Sequence, residues 1–194
     1  MNVFDFDKTI YDGDSTQRFL VFLIRRHPRL IVKLPGFAVN AALFGLKLRP
    51  KQAFKERMFR SFFAGIPDIY AELERFWDAN MSGVKKWYEA VQREDDLVIT
   101  ASPVDIVRPC CRRLGITRVM GSPVDMTTGR YRGANCHGEE KVRRFHAEYP
   151  GETMEDFYSD SHSDDPMARI AKRAVMVKGE KLLPWTFLAR DSKG

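Results

Sequence analysis

Three short apolar runs, far apart in the chain, each lead into polar side chains that can bind or attack a ligand. The polar residues at these places are Asp5 with Asp7, Thr100, and Asp160. Patterns typical of helices separate the runs, and strands that alternate with helices form parallel sheets with right-handed crossovers. Ligands of open parallel sheets bind beyond the carboxyl ends of the strands. We therefore predict an α/β fold with a Rossmann-like parallel sheet and a site at that edge.

The helical pattern is not evenly distributed along the chain. Residues 15–90 are predicted to be almost wholly helical, and they interrupt the strand–helix alternation after the first strand. We therefore predict an α/β core formed by residues 1–14 and 91–194, with residues 15–90 as a helical insertion. A chain of 194 residues, 44% of them hydrophobic, has room for one core and a small accessory unit.

The cysteine content and the N-terminus bear on location. Cys110, Cys111 and Cys136 are too few and too closely spaced for a disulfide framework, which favours a reducing compartment. The chain starts with acids where a secretory signal has bases. We expect a cytoplasmic protein, with peripheral contact at the inner face of a membrane as a further hypothesis.

Positive charge is concentrated in one segment. Residues 17–66 contain eleven bases and one acid, a net +10 within a chain of net +6, so the remainder carries −4. A basic segment on an acidic body indicates a directed surface for an anionic substrate, an anionic bilayer or nucleic acid. We expect no specific nucleic-acid binding, and the sequence does not indicate an oligomeric state.

The acidic residues suit a divalent cation. Asp5 and Asp7 lie two residues apart at a strand end, and Asp160 and Asp164 form a second acidic cluster. Mg²⁺ prefers a few carboxylates together with water and phosphate oxygens. A solvated turn and a helix cap are the alternative interpretations of these two clusters. Thr100 and Lys141 could hold an oxyanion, although each is a weak signal by itself.

Taken together and in this order, these motifs resemble those of the haloacid dehalogenase superfamily. The shared pattern is a strand with Asp-x-Asp-x-Thr, a strand with Thr, a Lys, and a strand with Asp-x-x-x-Asp. The resemblance implies that Asp5 is a nucleophile that becomes phosphorylated and that Asp7 is the general acid and base. It also implies that Thr100 and Lys141 hold the phosphoryl group. Mg²⁺ would be bound by Asp5, Asp7 and Asp160, with Asp164 as a further metal ligand or supporting carboxylate.

The position of the insertion narrows the resemblance to the phosphoserine phosphatase-like subfamily IB, in which a helical type-1 cap follows the first motif. Asp14 lies where that branch has a substrate-contacting Glu. The stretch 25–50 and the tail around Asp160 are most similar to the bacterial phosphatidylglycerophosphatase C group, which is membrane-associated. A phosphatase of a lipid-linked or amphiphilic phosphate is thus expected. The alternatives are a soluble small-metabolite phosphatase and a non-catalytic protein that binds anionic surfaces through its basic insertion.

Overall fold

A computed structural model of the chain describes residues 1–187 and contains one six-stranded sheet. The strands lie in the order β3-β2-β1-β4-β5-β6. In chain order they are β1 (Val3–Phe4), β2 (Leu97–Pro103), β3 (Arg118–Ser122), β4 (Asp156–Ser159), β5 (Arg173–Lys178) and β6 (Lys181–Pro184). All neighbours are parallel except β5 and β6, which pair antiparallel. The predicted α/β fold with a parallel sheet is confirmed, and β3 and β6 are strands that the sequence pattern did not indicate.

Eight α-helices surround this sheet within residues 1–187. They are α1 (Ser15–Arg26), α2 (Leu34–Gly45), α3 (Lys51–Phe62), α4 (Ile69–Asn80), α5 (Lys86–Val91), α6 (Val104–Arg113), α7 (Glu139–Glu148) and α8 (Asp165–Ile170). Helices α1 to α5 lie between β1 and β2. Except for Val91, the last residue of α5, they fall in the segment 15–90 that we call the helical insertion. Short 3₁₀ turns at Pro28–Lys33, Met81–Gly83 and His162–Asp164 complete the connections.

Strand β1 is the centre of the sheet, and its position determines where the site lies. It pairs with β2 on one side and β4 on the other, so that Phe4 is aligned with Val98 and with Tyr158. The three strands run in the same direction, and their carboxyl ends therefore meet at one edge. The chain order of the strands reverses direction at β1, which is the topological switch point of such sheets.

Two details differ from the sequence pattern. Thr100 lies inside β2 rather than after its end, because the strand continues to Pro103 through a register shift between Ile99 and Pro103. The segment 124–133, which resembles a hairpin in sequence, does turn back on itself, with the Asp125 N–H bonded to the carbonyl of Arg130, but its arms are too short for strands and pair through one bridge between Val124 and Tyr131. A bulge near a strand end re-aims side chains, and here it lies beside the carboxyl edge where the site forms.

One apolar cluster joins the insertion to the sheet. It contains Phe4 and Phe6 of the core together with Phe19, Phe59 and Trp77 of the insertion, all fully buried. The Trp77 indole N–H donates a hydrogen bond to the carbonyl of Ile106, at 2.6 Å. Burial of large side chains on both sides of this joint excludes water, so the insertion is packed against the core rather than tethered to it.

Helix α2 departs from the usual burial of apolar residues. Most residues of α2 are apolar, yet the residue that it buries is the polar Asn40. The apolar Val39, by contrast, is 62% exposed. The flanking residues Val32, Leu46 and Leu48 are each more than two-thirds exposed. An exposed apolar surface of this extent is typical of an interaction site rather than of a monomer surface.

Candidate active site

A pocket of about 240 Å³ opens at the carboxyl ends of β1, β2 and β4. It brings together every residue singled out from the sequence for chemistry. These residues are Asp5, Asp7, Asp14, Thr100, Lys141, Asp160 and Asp164. The pocket lining also includes Lys8, Lys51, Lys55, Ser102 and His137. The site thus lies at the edge where the parallel sheet predicts a ligand.

Lys141 links two of the acidic residues. Its Nζ donates hydrogen bonds to Asp5 Oδ1 and to Asp164 Oδ2, each at 2.8 Å. Asp164 Oδ2 also accepts a hydrogen bond from the Ser159 hydroxyl at 2.8 Å. Lys141 is 1% exposed and enters from α7, so these bonds orient its ammonium group and the Asp5 carboxylate toward each other.

Asp7 is held by a separate set of donors. Its Oδ1 accepts a hydrogen bond from the backbone N–H of Ser15, at 2.7 Å, in the first turn of α1. Its Oδ2 accepts from the Ser102 hydroxyl, which in turn accepts from Thr16 Oγ1 at 3.0 Å. The N-terminus of α1 and the bulged end of β2 therefore position Asp7 independently of Lys141.

The pKa values of the acids reflect their burial. Desolvation raises the pKa of Asp5 to about 7, although the neighbouring Lys141 acts to lower it. Desolvation raises the pKa of Asp7 as well, with a contribution from the charge of Asp14, while Ser102 and Ser15 oppose the rise. Burial by itself would lower the pKa of Lys141, but the charges of Asp164 and Asp5 outweigh it and the pKa is raised. Lys141 is therefore a permanent cation here.

Asp160 lies directly after β4, on the opposite side of β1 from Thr100. Burial raises the pKa of its carboxyl group, against the lowering influence of Lys8 and Lys178. Its backbone carbonyl accepts a hydrogen bond from Lys178 Nζ at 2.6 Å. Lys8 occupies a left-handed backbone position, with φ of 58°, and its N–H donates to the carbonyl of Gly13. This turn places Lys8 at the rim of the pocket.

The donor set fits a hard divalent cation. Within residues 1–187, no three His, Cys, Asp or Glu side chains form a cluster that could hold a metal by themselves. Mg²⁺ needs only one or two protein carboxylates when water and phosphate supply the other oxygens. Burial raises the pKa of Asp5 and Asp160, and the buried Asp164 Oδ1 has no hydrogen-bond partner in the part of the chain that the structure describes. A cation beside these oxygens would offset their desolvation.

Lys51, Lys55 and Ser102 are among the pocket side chains that the sequence did not indicate as site residues. Lys55 Nζ donates to the carbonyl of Ala101 at 3.0 Å and to Asn135 Oδ1 at 3.3 Å, which ties α3 to the core. Burial, and then the charge of Lys51, lowers the pKa of Lys55 to about 8. Lys51 and Lys55 are spaced by one helical turn, a signal that could have identified a basic face. Ser102, two residues after Thr100, carried no distinguishing signal.

Asp14 has a structural role that its pocket position does not exclude. Its Oδ1 accepts a hydrogen bond from the Gln17 N–H at 2.8 Å, as the N-cap of α1. An Asp at this position stabilises a helix start by satisfying a free N–H group. Asp14 also lines the pocket and faces Asp7 closely enough to raise its pKa. Contact with a substrate stays a prediction.

The fold and site define an α/β protein with paired carboxylates and a buried lysine at the switch point of the sheet. The sequence profile of the haloacid dehalogenase-like hydrolases matches residues 3–169. The chain belongs to this family of haloacid dehalogenase-like hydrolases.

Two curated relatives carry phosphatase names. The chain is 28% identical to phosphoserine phosphatase SerB1 of Mycobacterium tuberculosis, over 93% of its own length and 65% of that of the relative. It thus spans slightly less than two-thirds of that protein. It is 26% identical to a histidinol-phosphatase of Neisseria meningitidis, over 90% of the chain and 88% of the relative.

Two solved structures share the fold. A Bordetella pertussis protein of unknown function superposes with a TM-score of 0.76 at 21% identity, covering 91% of this chain and 88% of that one. A phosphoserine phosphohydrolase-like protein from Francisella tularensis has a TM-score of 0.60 at 11% identity, covering 91% and 87%. These similarities extend over the insertion as well as the core.

Proposed function

We propose that the protein is a Mg²⁺-dependent phosphomonoester hydrolase that acts through a phosphorylated Asp5. One observation carries this proposal: two neighbouring carboxylates have different partners. Asp5 is paired with the buried cation Lys141, whereas Asp7 is held by Ser102 and by the start of α1. Two carboxyl groups in different surroundings can take different roles, one as nucleophile and one as proton donor. Phosphatase names among the relatives agree with this chemistry.

In the first step, an oxygen of the Asp5 carboxylate attacks phosphorus. A phosphorus–oxygen bond to Asp5 forms as the bond to the leaving alcohol breaks, and Asp7 gives its proton to the alcohol oxygen. The raised pKa of Asp7 favours the protonated form that this step requires. Lys141 and the N–H groups near Thr100 offset the charge of the phosphoryl oxygens.

In the second step, Asp7 acts as a base. It takes a proton from a water molecule, whose oxygen attacks phosphorus, and the bond between phosphorus and Asp5 breaks. Inorganic phosphate leaves and both carboxyl groups return to their starting states. Asp5, the Asp7 carbonyl and Asp160 would hold the Mg²⁺, with Asp164 beside them. The bound cation supplies charge neutralisation for the phosphoryl group.

For the substrate we propose an amphiphilic or lipid-linked phosphate ester, of which phosphatidylglycerophosphate is the example that the sequence resemblance implies. The support is the apolar exposed face of α2 next to basic residues such as Lys33 and Lys47. An apolar helix flanked by bases can lie in the interface of an anionic bilayer. Among residues 1–187, no helix has the length and apolar character needed to cross a bilayer.

A second candidate is a phosphatase of small soluble metabolites. The names of the two relatives favour it, because both refer to phosphate esters of small amino compounds. The short Asp14, already engaged as a helix cap, gives less support to recognition of an amino group. Non-catalytic binding of anionic surfaces through the basic insertion is the third candidate.

The proposal is tested by hydrolysis of p-nitrophenyl phosphate with and without Mg²⁺. We expect activity that EDTA abolishes, and a loss of at least about 10³-fold in kcat for Asp5→Asn because the nucleophile is removed. The matched control is Asp12→Asn, at a neighbouring Asp that is 75% exposed and outside the pocket lining. Mass spectrometry of acid-quenched enzyme should find phosphate on the peptide that contains Asp5. Equal slow hydrolysis by the wild type and Asp5→Asn would favour the non-catalytic candidate.

A further inference from the structure

A second cavity, of about 450 Å³, lies in the helical insertion between α1, α2 and α3. Its volume falls in the range of small-molecule sites, about 300–1,000 Å³. Most of its walls are apolar, and they include Leu20, Ile24, Leu34, Phe37, Met58 and Phe62. Phe37 packs edge-on against Phe62 with ring centroids 5.9 Å apart, so one wall is built of interlocked aromatic rings.

This apolar cavity adjoins the catalytic pocket. Asp14, Lys55 and Ser102 line both spaces, and together they mark the place where the two meet. Ser102 donates its hydroxyl hydrogen to Asp7, the group that would protonate the leaving alcohol. A phosphate group in the catalytic pocket therefore has its ester oxygen near Asp7 and the remainder of the leaving alcohol directed toward the cavity.

We infer that the apolar cavity binds the hydrocarbon part of the leaving alcohol, and that the preferred substrate is a phosphomonoester with a single apolar chain. The inference rests on the proposed phosphatase activity and names its substrate class. The polar rim at Asp14, Lys55 and Ser102 meets the head of the alcohol, while Leu20, Ile24 and Met58 contact its chain. Transfer of each methylene from water into such a cavity is favourable.

The volume of the cavity leaves room for one hydrocarbon chain of a substrate. If each methylene occupies about 30 Å³, the volume of a water molecule in the liquid, the cavity holds about 15 carbon atoms. A second chain of similar length would need roughly twice that space. Val21, 47% exposed, and Leu34, 39% exposed, form the outer rim, beyond which a longer chain reaches the surface. Within the amphiphilic phosphates proposed above, the cavity therefore favours a single-chain phosphate over a diacyl lipid, and phosphatidylglycerophosphate, which has two chains, fits it less well.

The test compares alkyl phosphates from ethyl to dodecyl, each below its micelle-forming concentration, at saturating Mg²⁺. We expect kcat/KM to rise with chain length, by up to about fourfold for each methylene buried, and mainly through a lower KM. Single-chain lysophosphatidic acid should be hydrolysed faster than diacyl phosphatidic acid of equal total carbon number, because one chain fits and two do not.

A variant that fills the cavity tests whether the alkyl chain of the substrate binds there. Ile24→Trp should lower kcat/KM for decyl phosphate by at least about tenfold and leave ethyl phosphate within about twofold. The control is Leu182→Trp on β6, which is 42% exposed, does not line the cavity and should change the hydrolysis of neither substrate. Leu20→Gln, which keeps the volume and adds a polar group, gives a second test if Ile24→Trp does not fold.

Different results would contradict the phosphatase activity and the binding of an alkyl chain in the cavity. If the wild type hydrolyses no phosphate ester at all, including ethyl and p-nitrophenyl phosphate, the proposed function is wrong. If it hydrolyses them without dependence on chain length, or if Ile24→Trp affects ethyl and decyl phosphate equally, the phosphatase stands and the cavity inference is overturned. Faster hydrolysis of the diacyl lipid also overturns it.

Discussion

Asp96 illustrates how a single buried carboxyl group affects stability. It lies just before β2, is 1% exposed, and accepts hydrogen bonds at Oδ2 from the Arg93 N–H and the Tyr88 hydroxyl. Its Oδ1 has no partner among the residues that the structure describes. Burial is the main reason that its pKa is raised to about 6. Ionisation of this group in the folded protein is therefore unfavourable.

We expect the free energy of unfolding to depend on pH because of the raised pKa of Asp96. Because the folded pKa lies above the unfolded one, the contribution of Asp96 to stability is full below about pH 4 and is lost as the pH rises through about 6. Asp96→Asn cannot ionise, so its stability relative to the wild type should rise by about 2 kcal/mol from pH 4 to pH 7. Urea denaturation at both pH values measures this change.

The neighbouring Asp95→Asn is the control, because Asp95 is 43% exposed and forms long ion pairs with the N-terminal ammonium group at 3.5 Å and with Arg93 at 3.4 Å. Its stability difference from the wild type should change little with pH. A pH-independent difference for Asp96→Asn as well would contradict the assignment of a raised pKa to Asp96.

At the scale of elements, the loop that contains Thr128 and Gly129 packs directly on α3. Gly129 has φ of +70°, and a Cβ built there would lie 2.3 Å from Arg60 N and 2.4 Å from the carbonyl carbon of Phe59. Tyr131 and Phe59 continue the contact, with ring centroids 6.0 Å apart. The absence of a side chain at Gly129 therefore lets the core approach the insertion closely.

Gly129→Ala should lower the free energy of unfolding by more than the cost of placing an alanine at a positive φ. Gly151 has a similar φ of +81° but open space around it, so Gly151→Ala isolates the conformational cost, about 1–2 kcal/mol. We expect Gly129→Ala to cost at least about 2 kcal/mol more, because the backbone of α3 must move. Chemical denaturation of both variants gives the comparison, and equal losses would show that the loop does not press on α3.

Pro109 interrupts the hydrogen bonding of α6 close to a contact with the insertion. The sequence places it within a helical pattern, and the structure keeps it inside α6. A proline has no N–H for the carbonyl of Asp105, one turn earlier. The carbonyl of the next residue, Ile106, accepts the Trp77 indole N–H. A side chain of the insertion is thus bonded to the helix near the interruption.

At the scale of the whole molecule, positive charge and exposed apolar surface coincide in the insertion. The segment 17–66 carries a net +10, and α2 and its flanks expose Val32, Val39, Leu46 and Leu48. Each base near an anionic bilayer is worth about 1 kcal/mol, and salt screens that attraction. The exposed apolar residues of this surface do not line the pocket at the sheet edge, although Lys51 and Lys55 of the same segment do, and they support the proposed membrane contact.

We expect the protein to sediment with vesicles that contain anionic lipid at low salt, and to be released at about 0.5 M NaCl because the Debye length shortens. Val39→Asp combined with Leu46→Asp should weaken binding by at least about tenfold. The matched control is Leu182→Asp with Leu183→Asp on β6, where each leucine is 42% exposed. Equal loss with both pairs, or no binding by the wild type, would contradict a role for α2.

The sequence by itself determined the parallel centre of the sheet and the group of residues at its carboxyl edge, but not the two outer strands, β3 and β6. Apolar runs followed by Asp5, Thr100 and Asp160 imply parallel strands, and the geometry of such strands brings their carboxyl ends together whatever the packing of the helices. That is why residues more than 90 positions apart were predicted to meet. The structure places all of them in one pocket.

Only the tertiary structure decided which residues of the insertion reach the pocket and the cavity beside it. The contact of Lys55 with Ala101 and the cavity between α1, α2 and α3 both depend on the angles at which the helices cross. An apolar pattern in the sequence is compatible with several such angles and does not select one of them. The partnership of Ser102 with Asp7 depends likewise on a bulge in β2. A repeating pattern of side chains specifies which face of an element is buried, but only the packed chain specifies what that face meets.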